Sequence, residues 1–109
     1  MQIGETVRAV ISGKARRFTV AEELGFASNR WSAGREQTRF DEIEAVKTDK
    51  GKYVLQRSYI TMWQGEHCSY NYQLFDSIED LVAALDPLDS LDRRLLDKLG
   101  KLDEVSEEI

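Results

Sequence analysis

The stretch RFDEIEAVKTDKGKYVLQRSYITMW, residues 39 to 63, constrains the fold more than any other part of the chain. Phe40 to Lys47 and Lys52 to Trp63 both alternate apolar and polar residues with a period of two, the repeat that sends successive side chains to opposite faces of a strand. Between them, TDKG supplies Asp49 and Gly51, which tolerate turn backbone angles, so the two runs are predicted to close into a β-hairpin. Ile43 and Ala45 share one face of the first strand. On the second, Tyr53, Leu55, Tyr59 and Trp63 share a face that Arg57 interrupts, and Val54, Ile60 and Met62 occupy the other. Apolar residues on both faces predict a central strand covered at least in part on each side.

The next segment, WQGEHCSY at 63 to 70, sets the only His beside the only Cys. Gly65 falls where the chain must reverse, and CSYNYQLF resumes the alternation with Tyr70, Tyr72 and Leu74 facing one way. The segment therefore reads as the second turn of a three-stranded meander. Neighbouring residues on a strand point to opposite faces, so His67 and Cys68 do not form a thiolate and base pair, and no catalytic residue is expected there.

Upstream, ETVRAVIS alternates, SGK supplies a turn and ARRFTV follows, which predicts a hairpin over residues 5 to 20. A competing signal lies in TVAEEL. Thr19 with Glu22 three residues later has capping-box spacing, which would start a short helix ending at Gly25; the strand reading is preferred. SNRWSAGREQT, from Ser28 to Thr38, is polar and aperiodic and reads as a loop.

The C-terminal third is helical in pattern. Ser77 with Asp80 three residues on is an N-terminal cap, and Ile78, Leu81, Val82 and Leu85 form one apolar stripe that Asp86-Pro87 ends. Ser90 is expected to cap a second helix carrying Leu91, Leu95, Leu96 and Leu99, with Gly100 as its stop. The fold class that follows is α+β: an antiparallel sheet of three or four strands with the C-terminal helices packed on one face or at one end. Its 109 residues suit a single domain, taken as residues 1–100 with an acidic tail at 101–109.

Composition removes several classes. One Cys forms no internal disulfide, and one His with one Cys does not make a four-ligand zinc site. No apolar run approaches the roughly 20 residues of a membrane helix, and MQIGETVRAV lacks signal-peptide character, so the expected location is the cytoplasm. No GxxxxGK[ST], GxGxxG or HExxH motif occurs, and DPLDSLD lacks the Gly and terminal Glu of a calcium loop. No cofactor or metal is expected. The net charge of −5 is uneven: residues 1 to 66 carry +2 and residues 67 to 109 carry −7. Such asymmetry steers partners near the surface.

Two charged surfaces follow. The acidic helices, with Asp86, Asp89 and Asp92, are the leading candidate for contact with a protein partner, and Trp31 in the long loop is a second contact point. The rival is a nucleic-acid surface made of Arg30, Arg35 and Arg39 in the 30–39 loop, extended along the hairpin by Lys47, Lys50, Lys52 and Arg57, with Trp31 available to stack on a base. A third arrangement, a small-ligand site around Tyr53, Tyr59, Trp63, His67 and Cys68, would use the aromatic face of the second strand.

Thr48, Gly51, Tyr53 and Val54, followed by Trp63, Gly65 and Glu66, form a T-x-x-G-x-Y-V hairpin leading to a W-x-G-E turn. In this respect the chain resembles small, uncharacterised bacterial proteins often encoded near plasmid or phage genes, over roughly residues 39 to 85. The resemblance implies a cytoplasmic accessory protein of mobile-element origin and carries over no catalytic residues. The functional expectation is a non-enzymatic interaction module, an adaptor or inhibitor acting through the acidic helices, with nucleic-acid binding as its first alternative. A leucine-rich helix on a sheet with a short edge also points to a homodimer.

Overall fold

A computed structural model describes residues 1–30 and 38–101. Five strands run in order: β1 (Thr6–Ile11), β2 (Lys14–Ser28), β3 (Arg39–Thr48), β4 (Tyr53–Thr61) and β5 (Ser69–Phe75), followed by helices α1 (Ile78–Ala83) and α2 (Ser90–Lys98). Each strand pairs antiparallel with its sequence neighbour in a single sheet, which is nearly barrel-shaped. The α+β class is as expected, but the strand count of three or four is corrected to five. The additional length lies in β2, whose 15 residues include the TVAEEL segment with its helix-like spacing.

Each connection has a local cause. Ser12 and Gly13 both have positive φ (53° and 78°) and join Ile11 to Lys14 in a two-residue turn. At the β3–β4 turn, Thr48 N–H donates to the Lys52 carbonyl at 2.8 Å and Gly51 N–H to the Thr48 carbonyl at 3.0 Å. Gly51 takes a φ of 78° there, as the three-residue loop requires.

The two faces of the central pair carry separate clusters. Ile43, Ala45 and Leu55 face α1 and α2 and pack with Leu81, Leu85, Leu95 and Leu96. On the opposite face, Val20, Val46 and Val54 are covered by Val7 and Phe18 of the β1–β2 hairpin and by Tyr72 and Leu74 of β5. That wrapping depends on β2 changing partner. Up to Thr19 it pairs with β1, from Val20 onward with β3, and register shifts at Val20/Glu22 and Glu23/Gly25 mark β-bulges that bend it.

The helices are fixed by caps and by one close approach. Ser77 accepts from Asp80 N–H at 3.1 Å, the expected start of α1. For α2 the cap is Asp89, which accepts from Asp92 N–H at 2.9 Å, and not Ser90. Its C-terminus closes with Gly100 N–H to Asp97 and Lys101 N–H to Leu96, the paired bonds that a left-handed glycine permits. Against the sheet, a Cβ at Gly25 would stand 2.9 Å from Leu95 Cδ1, so the missing side chain lets α2 seat on β2. No described helix is long and apolar enough to cross a membrane. The expected 101–109 tail, Lys101 apart, lies outside the described residues.

Candidate nucleic-acid interface

Two cations of the N-terminal hairpin, Arg16 and Arg17, lie at the end of the sheet that carries the β3–β4 turn. Antiparallel register sets Thr6 opposite Thr19, Arg8 opposite Arg17 and Val10 opposite Ala15 on one face of the hairpin. The alternate pairs Val7–Phe18, Ala9–Arg16 and Ile11–Lys14 lie on the other face, where Val7 and Phe18 pack against Val20 and Ile11 is buried, so Lys14 and Arg16 do not share a face with Arg8 and Arg17. Asp49 N–H donates to the Thr19 carbonyl at 3.0 Å, which ties the β3–β4 turn to the bend in β2.

A cleft of about 500 Å³ opens between the two, bordered by Arg16, Arg17, Lys50 and Lys52 and by one carboxylate, Asp49. Its apolar lining is Ile11, Phe18 and Leu74, and Thr6, Thr19 and Thr48 also border it; Thr6 Oγ1 and Thr19 Oγ1 are hydrogen-bonded to each other at 3.1 Å, and Thr48 Oγ1 accepts from Lys52 N–H at 3.1 Å. Lys52 pairs with Asp76 at 2.5 Å, and that hydrogen bond and its charge hold the Asp76 carboxyl below the ordinary range. Among the described residues, Arg8, Lys14, Arg16, Arg17 and Lys50 have neither a side-chain hydrogen bond nor an ion pair. Like charges set directly opposite on a sheet repel. Arg8 and Arg17 are such a pair, and among the described residues neither is in an ion pair.

The expected nucleic-acid residues divide between the two ends of the sheet. Arg39 donates to both oxygens of Glu66 at 3.0 Å, and its guanidinium lies over the Trp63 ring, 5.4 Å from the centroid. Glu66 also accepts from Thr61 Oγ1 at 2.5 Å, and Trp63 Nε1 donates to Thr38 Oγ1 at 2.8 Å. The Arg39 and Thr61 hydrogen bonds draw the Glu66 carboxyl down, and the Glu66 hydrogen bond raises Arg39. Arg30 stacks over Phe40 at 5.1 Å and contacts Met62 Sδ at 3.7 Å. Trp31 and Arg35 lie outside the described residues. Lys50 and Lys52 sit at the far end of β3, roughly 30 Å away at about 3.3 Å per residue. Arg39 and the turn lysines thus stand at opposite ends of β3, with Lys47 and Arg57 of the same expected region between them, and the turn lysines border a cleft with Arg16 and Arg17.

The three aspartates expected to form an acidic contact surface all have local partners. Asp92 is only 3% exposed. Its two oxygens accept from Arg57 at 2.6 and 2.9 Å, and one also accepts from Asp86 N–H at 2.9 Å. Asp89 caps α2, and Asp86 Oδ1 accepts from Leu88 N–H at 2.9 Å. Asp92 is thus withdrawn from the surface, because Arg57 on the helix-covered face of β4 needs a counter-charge; Asp86 and Asp89 remain exposed.

The aromatic face of β4 is similarly divided. Tyr53 packs against the helix-side cluster, Tyr59 is exposed further along the strand, and Trp63 stands with Arg39. His67 and Cys68 are exposed in the β4–β5 connection, where Cys68 Sγ contacts the Thr61 carbonyl at 3.7 Å. Among the described residues no three His, Cys, Asp or Glu side chains converge on a metal position.

Arg8, Arg16 and Arg17 are not among the residues that the sequence pattern singles out. The available signal was the run TVRAVISGKARRFTVA, residues 6 to 21, which contains four cations and no acid around a turn. No protein-family model, curated protein or solved structure matches the chain.

Proposed function

We propose that the chain is a non-enzymatic nucleic-acid-binding module that engages the phosphate backbone through the β1–β2 hairpin and the β3–β4 turn. The supporting observation is that Arg16, Arg17 and Lys50 border one cleft and Arg8 stands opposite Arg17, and that among the described residues none of these four is in an ion pair. An opposed Arg8–Arg17 pair works against the hairpin by a few tenths of a kcal/mol up to about 1 kcal/mol. A polyanion laid along it turns that repulsion into attraction.

The acidic total does not oppose this reading. The acidic helices cover the other face of the sheet, and at physiological salt their field fades over about 8 Å. The alternative reading, a protein partner at the acidic helices, is supported by the exposure of Glu79, Asp80, Asp86 and Asp97. It is the weaker of the two because Asp92 is buried and Asp86 and Asp89 already have hydrogen-bonding roles.

The test is fluorescence anisotropy with labelled single-stranded and duplex oligonucleotides, repeated from about 50 to about 200 mM salt. Binding should weaken linearly in log–log form, with a slope of about −0.7 per phosphate contacted on a single strand. Arg8→Glu with Arg17→Glu should abolish it, whereas Arg39→Ala leaves it intact. Absence of binding to either oligonucleotide at the lowest salt would remove the reading.

A further inference from the structure

We infer that the cleft between the hairpin and the β3–β4 turn receives an unstacked nucleobase, so that the substrate class is single-stranded nucleic acid rather than duplex. This rests on the phosphate-binding reading and adds the part of the site that a phosphate does not use. Phosphate contact needs only the cationic rim. The cleft is more than a rim: about 500 Å³ of space is lined by Ile11, Phe18 and Leu74 as well as by Arg16 and Lys50. That volume lies within the range of roughly 300 to 1,000 Å³ typical of small-molecule sites.

The lining suits a base. Phe18 is only half-buried and is held edge-on against Tyr72, with ring centroids 6.3 Å apart and planes at 61°. Tyr72 is held in turn by a 2.7 Å hydrogen bond from Gln56 Nε2. A supported aromatic ring is the element on which single-strand binders stack bases. Cations at the rim then meet the phosphates on either side of the inserted nucleotide. In a duplex the base is paired and stacked, and extracting it costs free energy that a single strand does not spend.

The experiment compares, at one salt concentration, a single-stranded oligonucleotide, the duplex of the same sequence and a single strand with abasic positions throughout. Phosphates alone favour the duplex, whose charge density is higher. We expect the opposite order, with the intact single strand bound at least about tenfold more tightly than either the duplex or the abasic strand, the scale of one stacked base. Phe18→Leu keeps an apolar side chain in the cluster but removes the stacking surface; it should weaken single-strand binding about tenfold and leave duplex binding unchanged. The duplex arm reports that this variant is folded, and the abasic arm needs no variant. Equal binding of intact strand, abasic strand and duplex would overturn the inference while leaving the phosphate reading in place. Unaltered single-strand binding by Phe18→Leu would overturn it as well. Binding of none of the three would remove both.

Discussion

Burial alone would push the Asp92 carboxyl upward. The hydrogen bonds from Arg57 and from the Asp86 backbone outweigh that effect and hold it below the ordinary carboxylate range. Its partner Arg57 is drawn up by its hydrogen bonds to Asp92, against its own desolvation. The pair joins β4 to α2, and removing one member leaves the other unpaired. Asp92→Asn should therefore lower the unfolding free energy by about 2 kcal/mol, less than the roughly 3–5 kcal/mol of a fully dry pair because Arg57 stays 39% exposed. Urea titration checks this as a shift in midpoint at constant slope. The pH dependence has a definite sign. A carboxyl whose folded pKa is depressed contributes its full stabilisation above its unfolded value, about 3.9, and loses it as pH falls through the folded value. The difference in stability between wild type and Asp92→Asn should thus shrink as pH drops below about 4; a constant difference would mean that the ion pair is not what the mutation removes. Arg57 is visible in the sequence as a break in an apolar face, but its partner is 35 residues away on another element, and no spacing rule connects them.

Among the elements, β3, β4 and their turn were legible because period-2 patterning and TDKG agree. The starts of α1 and α2 were legible to within one residue. At α2 two adjacent residues, Asp89 and Ser90, both have the chemistry of a cap, and only Asp89 reaches Asp92 N–H, with φ and ψ of −81° and 129° outside the helix. Asp89→Ala should cost about 1 kcal/mol and Ser90→Ala less than about 0.5 kcal/mol in thermal or urea unfolding. The reverse order would return the cap to Ser90. The course of β2 was harder to read. Its capping-box spacing is a local signal, whereas the exchange of β1 for β3 at Val20 and the bulges that follow are set by what the strand must cover. The separation of Arg39 from Lys50, in contrast, is implied by strand length alone. A strand of this length holds its two ends apart, so loop and turn cations do not form one patch.

At the scale of the whole molecule, β3 and β4 form the wall shared by two cores. Ala45 and Leu55 close the helix-side cluster, Val46 and Val54 close the opposite one, and all four are fully buried. β1 has a different standing. It pairs only with the first part of β2, comes alongside β5 without pairing, and exposes Thr6, Arg8 and Val10. Opening the β1–β2 hairpin uncovers one cluster and leaves the other with its helices in place. Amide hydrogen exchange should therefore be graded. Protected amides of β3 and β4 should exchange only through global unfolding, with a denaturant dependence matching the equilibrium slope. Those of β1 should exchange at least about tenfold faster through a smaller opening that responds weakly to denaturant. Equal protection across all five strands would show that the two clusters open together and that the hairpin belongs to a single cooperative unit. The graded outcome has a consequence for binding, because the cations and the cleft are carried by the least stable part of the sheet. A polyanion that bridges the hairpin and the β3–β4 turn should then slow exchange in β1 while leaving the β3–β4 wall at its global limit, since a ligand protects most strongly the opening that its own contacts oppose.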